Sequence, residues 1–460
     1  MDKKITMPAR KVDARKFDVV VVGGGTGGII AAIAAARTGA HTALVEAKGY
    51  LGGTVVEGGT ALHSFFNNWK TFDREKVQLV QGIPSELVDR VAARGGCTGH
   101  CEMESRYEYD SVCTAIDTEI YKLVAHEMVA EAGVEIFVNT TMSGTLCENG
   151  RVRAITVVNH SGVSALEADS FIDATAYGDL CASAGAAFTE PNDQSISAPM
   201  GVGGVDMDRY AEYFASLGMR TDFARGLRDG EPGGIIRVDG RTDLLPEEFR
   251  EGARRLGMAL AITTTHKEYF MFVKLNYMLP VSPTDRDAMS AAELELRRRQ
   301  NEALALIRKF IPGCEKAFIA RTTPSACIRR GRCITCDYDI TNEDVTSGRH
   351  FEDDVFEYGF HDEAPHFDVA QGGSYGFPYR AMLPVGLENV FATGMMVTSN
   401  HHAHMSTRNT VSCMAQGQAA GTAAALCALK DCTTRTLSYG ALRAKLEEDG
   451  VYFDGVPEKK

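Results

Sequence analysis

The apolar pattern of the first fifty residues reads as a strand, a turn, a helix and a second strand. Phe17-Asp18-Val19-Val20-Val21-Val22 is a β-branched apolar run, as expected of a strand buried on both faces. It ends in Gly23-Gly24-Gly25-Thr26-Gly27-Gly28. Ile29 to Arg37 then runs alanine-rich with no breaker before Gly39, and Thr42-Ala43-Leu44-Val45 makes a second short strand ending on Glu46. Residues 17 to 62 therefore predict one βαβ unit.

Residues 63–115 carry few periodic signals. Residues 117–132 predict a helix, because Ile120, Leu123, Val124, Met128 and Val129 are spaced to share a face. Residues 134–138, 152–158 and 170–174 predict strands, and this alternation predicts a parallel sheet covered by helices. From about 185 to 325 the character changes, with charge runs such as Arg297-Arg298-Arg299 that suit a solvated helix face. Gly201-Val202-Gly203-Gly204 follows Ala198-Pro199-Met200 and reads as a loop. From Tyr375 the chain is again glycine-rich and apolar, with a strand before Gly394 and a small-residue helix over 411–429. The expected organisation is a first domain over 17–185, an α+β substrate or cap domain inserted over 186–370, and a return to the first domain over 371–440. Residues 1–16 and 441–460 are terminal segments.

Composition narrows the function. With 48 Lys+Arg against 61 Asp+Glu the net charge is −13, which argues against a nucleic-acid surface and against action on tRNA. No run of about 18 apolar residues occurs, and the basic start lacks an apolar export core, so no membrane span and a cytoplasmic location are expected. Twelve cysteines spread over 460 residues read as reduced thiols rather than a disulfide scaffold. Cys314, Cys327, Cys333 and Cys336 are clustered in sequence, but their x12, x5, x2 spacing matches no ferredoxin pattern. Residues 334–340 read as strand.

The glycine turn has the chemistry of a dinucleotide site. Gly23 permits the tight turn, Gly25 lets the backbone approach a pyrophosphate, and Gly28 allows helix and strand to pack closely. The helix N-terminus at Thr26-Gly27 offers unpaired N–H groups and a positive dipole end, and Glu46 can accept hydrogen bonds from a ribose diol. Leu51-Gly52-Gly53-Thr54 follows at once, a loop suited to running along an extended dinucleotide toward a flavin. The order of glycine turn, Glu46 and Gly52-Gly53 resembles the glutathione-reductase-like flavoproteins and points to FAD rather than NAD.

Later motifs extend the likeness. Phe171-Ile172-Asp173-Ala174-Thr175, Gly178-Asp179-Leu180, and Gly394 followed by Arg408 and Gly417-Gln418-Ala419-Ala420-Gly421 resemble the FAD-dependent oxidoreductases related to the fumarate reductase and succinate dehydrogenase flavoproteins. Within that group the chain looks like a branch widespread in bacteria. The resemblance implies an α/β fold with a Rossmann-like FAD-binding domain and an inserted cap. It also implies hydride transfer between a small polar substrate and flavin N5, by a dehydrogenase or an enoate-type reductase, with an external electron acceptor or donor. Ala47, Lys48, Ala174, Thr175, Asp179, Gly394, Met395, Val411 and Ser412 join the glycines as implied cofactor contacts. Arg408, with His402 and His404 before it, is implied on the substrate side, and so are Arg329 and Arg332. Three departures stand out: Ala176 replaces the usual glycine of Ala-Thr-Gly, Met395 replaces an arginine, and Arg329-Arg330-Gly331-Arg332-Cys333 replaces Arg-Glu-x-Arg-Arg. Zinc at His402 and His404 lacks a partner at a diagnostic spacing, so no metal is expected there. The competing expectation is an electron-transfer flavoprotein subunit with a cluster or dithiol at Cys314–Cys336. A homo-oligomer is compatible with either.

Overall fold

The structure is a computed structural model, and it describes residues 11–104, 112–218, 221–240, 242–278, 281–363, 366–370 and 372–453. Residues 1–10 and 454–460 of the two terminal segments lie outside the described residues.

The first sheet is α/β. Strands Glu135–Phe137, Thr42–Val45, Ala14–Val22, Gly162–Asp173 and Val390–Ala392 lie side by side and parallel. Their register brings Val22 level with both Val45 and Asp173, and Ala392 level with Asp173. Four strands thus end at one edge, where the turns at Gly23, Glu46, Ala174 and Thr393 open together. Ligands of open parallel sheets bind at such an edge. The start of Gly162–Asp173 also pairs antiparallel with Arg151–Asn159, which pairs with Thr141–Glu148. The connection between those two strands is Asn149-Gly150, both at positive φ (51° and 76°), the geometry of a type I′ hairpin.

Two helices stack on this sheet with almost no side chain between them. A Cβ on Gly417 of helix Thr410–Leu429 would lie 2.2 Å from the Gly27 carbonyl oxygen, and one on Gly421 would lie 2.2 Å from that of Ala31 in helix Thr26–Arg37. The small-residue stripe therefore serves backbone-to-backbone packing. Residues Ile334, Ile340, Val345, Val355 and Val369 bury into this same core.

The second sheet is antiparallel and forms a roof. Its main strands are Thr221–Arg228, Glu231–Gly240, Met258–Thr263 and Tyr269–Met278, extended by short strands at Ile196–Ser197, Met200–Gly203, Phe318–Thr322 and Cys327–Ile328. Helices Met207–Ser216, Glu247–Leu256 and Arg286–Phe310 bury Tyr210, Phe214, Phe249 and Ile307 against its outer face. The expected loop at Gly201–Gly204 is instead mostly strand, because neighbouring strands place aromatic rings over it. A Cβ at Gly201 would meet Tyr269 Oη at 2.5 Å, and one at Gly203 would meet the Phe318 ring at 2.6 Å. The expected strand over 334–340 shrinks to Cys333–Ile334, paired with Phe188–Thr189. Helix Ile83–Ala92 lies in the stretch whose signals looked weak, although Ile83, Leu87, Val88 and Val91 are its buried stripe.

Two clasps join roof to floor. Arg321 donates to the Gly58 carbonyl at 3.2 Å and to that of Met271 at 2.7 Å, tying short helix Thr54–Gly58 to the roof. His266 of the roof lies between Asp229 (3.0 Å) and Asp117, the N-cap of helix Thr118–Glu131.

Candidate active site

One cavity of about 1480 Å³ lies between the strand edge of the floor and the inner face of the roof. At the floor end Gly23 has φ +104° and its absent Cβ would sit 2.3 Å from the Ala174 carbonyl oxygen. Gly28 is tighter still, at 1.8 Å from the Gly23 carbonyl oxygen, whereas a Cβ on Gly25 meets nothing within 4 Å. Gly23 and Gly28 are therefore fixed by packing and Gly25 by the open space it leaves. Helix Thr26–Arg37 starts at Gly25 with no side-chain cap, so its first-turn N–H groups face the cavity for a ligand to satisfy. Glu46 accepts from the backbone N–H groups of Gly24 (2.7 Å) and Lys48 (2.8 Å). Burial pushes its pKa up, and those two hydrogen bonds pull it back. Asp173, fully buried, fixes the next turn by accepting from Thr175 N (3.0 Å), Thr175 Oγ1 (2.7 Å) and Cys181 N (2.8 Å). That turn holds Ala176 at φ +71°, the left-handed region that a Cβ disfavours.

The roof lines the other end with long side chains. Alternation along the strands aims Arg237 and Asp239, Ala259 and Ala261, and Phe272 and Lys274 at the cavity. Arg329, Asp362, Met405 and Arg408 complete this end. Arg408 pairs with Asp362. Burial lowers the pKa of Lys274, with Arg329 the largest charge acting in the same direction. Cys327 and Cys413 also line the wall, and burial raises both thiols, Cys413 to about 12, so neither is a ready thiolate.

A profile of the FAD dependent oxidoreductase family matches residues 18–446. The chain belongs to that family. FAD is its cofactor, and the site fits it: an uncapped helix N-terminus, a glycine cradle, a carboxylate at the end of the second strand, and a buried, unpartnered Thr393 Oγ1 in the wall. Among curated proteins, this oxidoreductase is similar to dihydrolipoyl dehydrogenase of Trypanosoma brucei brucei, 46% identical over 79 residues, covering 15% of this chain and 16% of the other. It is also similar to digeranylgeranylglycerophospholipid reductase of Methanocella arvoryzae, 28% identical over 154 residues, covering 32% and 35%. The matches thus span at most about a third of these relatives' lengths. A solved geranylgeranyl bacteriochlorophyll reductase-like protein from Thermoplasma acidophilum superposes with a TM-score of 0.49 at 14% identity, covering 95% of this chain and 83% of that one.

Within this flavoprotein the expected site residues divide. Gly23, Gly25, Thr26, Gly27, Glu46, Ala47, Lys48, Gly53 and Thr54 line the cavity, as do Ala174, Thr175, Asp179, Gly394 and Met395. Gly28 and Gly52 stand just behind the wall and shape it, Gly52 by donating its N–H to the Gly24 carbonyl at 2.9 Å. Val411 and Ser412 do not line it. Both are buried on the packed side of their helix, and Asn409, Thr410 and Cys413 take the cavity positions.

Of the residues expected on the substrate side, Arg329 and Arg408 reach the cavity, but His402, His404 and Arg332 do not. His402 sits on the exposed first turn of helix His401–Thr407 and meets Glu363 at 2.6 Å. His404 is fully buried, and its Nε2 donates to the Met395 carbonyl at 3.0 Å. Burial and the nearby Arg408 hold its pKa well below the usual histidine range, and its hydrogen bond ties it to the Gly394–Met395 turn. Arg332 turns away to Asp179 (2.8 Å) and the Tyr177 carbonyl (3.1 Å). Cys314 belongs to the roof core and Cys327 to the cavity wall, whereas Cys333 lies buried on the short strand paired with Phe188–Thr189 and Cys336 packs against the floor core. Lys274, Arg237 and Asp239 escaped the sequence reading, although a lysine inside the apolar run Tyr269-Phe270-Met271-Phe272-Val273-Lys274-Leu275 is itself a signal.

Proposed function

We propose that this enzyme transfers a hydride between a small polar organic substrate and flavin N5, as a dehydrogenase or an enoate-type reductase. The observation that carries this reading is the continuity of the cavity from Glu46 and the glycine turn to Arg329, Arg408 and Lys274 under the roof. FAD, when bound, supplies the hydride chemistry. The chain's own groups do the rest. The glycine turn and Glu46 hold the nucleotide; the roof strands keep bulk water from the far end; Arg408, fixed by Asp362, and Arg329 orient the polar group of the substrate. His404 sets the turn at Met395. In this reading the segment 186–370, which carries the roof, is a cap inserted into a two-part flavin domain, kin to the fumarate reductase and succinate dehydrogenase flavoproteins, and an external acceptor or donor completes turnover. The test is anaerobic mixing of the FAD-loaded protein with hydroxy acids, amines and sugars, and of its dithionite-reduced form with enoates. Bleaching or recovery of the flavin band by one class supports the proposal. Redox inertness toward all four classes, with FAD bound, would sink it.

A further inference from the structure

Outside the cavity, three segments far apart in the chain bring two histidines and two carboxylates together. His401 and His402 open helix His401–Thr407, and Glu363 reaches its first turn from the segment 361–363. Each of these three side chains offers a donor atom, and the three atoms all lie within 4.8 Å of one another. His402 Nδ1 and Glu363 are already at 2.6 Å. The cluster is held from behind on both sides. The Glu363 N–H donates to His361 Nδ1 at 3.1 Å, and the Asp362 N–H donates to the Met405 carbonyl at 3.1 Å. His401 donates its Nδ1–H to Asp193 at 2.7 Å, which leaves a lone pair on its Nε2. A carboxylate behind a histidine orients the ring and makes it a more basic ligand. Asp193 is fixed in turn by the buried guanidinium of Arg330, which donates to it at 2.7 Å. Glu363, His401 and His402 do not line the cavity.

We propose that Glu363, His401 and His402 form a site for a divalent transition-metal ion of the zinc type. Two imidazoles and a carboxylate suit zinc, with a fourth position left for water, whereas magnesium and calcium take oxygen ligands. Donor atoms around zinc stand about 3.3 Å apart, so from within 4.8 Å of one another the three need to close by no more than about 1.5 Å. Glu363 and Asp193 supply negative charge, and the neighbouring guanidiniums of Arg330 and Arg408 are paired with Asp193 and Asp362. His404, buried and turned to Met395, is not a ligand; Glu363 is the partner that spacing in the sequence did not disclose. The ion fastens the segment carrying Asp362, the partner of Arg408, to helix His401–Thr407 from outside, and takes no part in the chemistry within. The competing reading is a bare ion pair between His402 and Glu363, which needs neither His401 nor zinc.

The experiment uses the FAD-loaded protein, freed of metal with EDTA and dialysed against zinc sulfate or, as control, magnesium sulfate. Bound zinc is counted by plasma mass spectrometry. Independently, histidines are modified with diethylpyrocarbonate and the labelled peptides are quantified by mass spectrometry. Wild type should hold a zinc ion that His401→Gln, His402→Gln and Glu363→Gln each hold at least about tenfold more weakly, since losing even a carboxylate behind a ligand costs that much, with FAD content unchanged. Zinc on the cysteines is common to all four proteins and cancels in the comparison. Zinc should protect His401 and His402 from modification, and magnesium should not. Equal zinc affinity in wild type and the variants would overturn the proposal, and so would unprotected histidines or equal protection by magnesium; each outcome would leave His402 and Glu363 a bare ion pair. Should a variant fail to fold, protection in the wild-type protein still decides.

Discussion

The floor and the roof end of the cavity are built by opposite means. The floor works with backbone: Gly23 and Gly28 are glycines because any Cβ would strike a carbonyl oxygen, and Gly25 is one because the ligand needs its space. The roof works with long side chains, Arg237, Lys274, Arg329 and Arg408, carried on strands and loops from distant parts of the chain. A site made of backbone is set by local spacing and suits a cofactor shared by a whole family. A wall made of side chains can be rewritten residue by residue, so it can differ between members of one family.

The largest effect should come from the floor. Gly28→Val forces a side chain into a gap already 1.8 Å from the Gly23 carbonyl oxygen at Cβ. It should cost more than about 3 kcal/mol and abolish FAD binding, measured by urea unfolding and flavin content. A stable, FAD-loaded variant would end the claim that backbone shapes the floor. In the roof, Arg408→Gln should keep FAD yet slow flavin reduction by substrate about tenfold or more, a barrier increase of about 1.4 kcal/mol or more. Loss of FAD instead would show that the two halves are not separable.

The His266 clasp sharpens the boundary between them. Hydrogen bonding to Asp117, opposed by partial burial and reinforced by Asp229, raises the His266 pKa from 6.5 to about 9. Because the folded value exceeds the unfolded one, this contribution is fully present below about pH 6.5 and fades as pH climbs through about 9. The gap in urea midpoint between wild type and His266→Gln should therefore narrow from about pH 6 to about pH 10; a constant gap would mean that no charged clasp exists. A smaller effect concerns Ala176. Relieving its positive φ with Ala176→Gly should raise stability by about 0.5 kcal/mol, the strain released less the extra freedom of the unfolded chain, read as a modest rise in midpoint. The smallest is none: His402→Gln, on the exposed turn paired to Glu363, should leave flavin reduction unchanged, and a slowed reaction would return that histidine to the roof.

The same contrast governs what the amino-acid sequence discloses. From Phe17 to Thr54 strand, turn, helix and acid are contiguous, so spacing alone places the cradle. The hairpin dipeptides Asn149-Gly150 and Asp229-Gly230, all four residues at positive φ, are equally local signals of the strands they join. The roof face is different in kind. Phe272-Val273-Lys274 and Arg237-Val238-Asp239 alternate visibly, but alternation gives two faces without saying which one meets the cavity. That is decided by antiparallel register between segments tens of residues apart. The histidines mislead for a related reason. They lie close in sequence to Arg408, and helix His401–Thr407 carries them from the surface to the core while only its end, at Met405 and Arg408, reaches the cavity.

The contact of Gly417 with Gly27, and of Gly421 with Ala31, also puts a clock on the molecule. The helix that presents its N-terminus to the cofactor leans on a surface that is made nearly four hundred residues later in the chain. A growing polypeptide can form the first hairpin-like βαβ turn early and still lack the wall against which that turn is held. Long-range closure of this kind is slow and exposes apolar edges while it waits. The cofactor pocket therefore cannot exist before helix Thr410–Leu429 has emerged, and until then the glycine turn is a motif without a site.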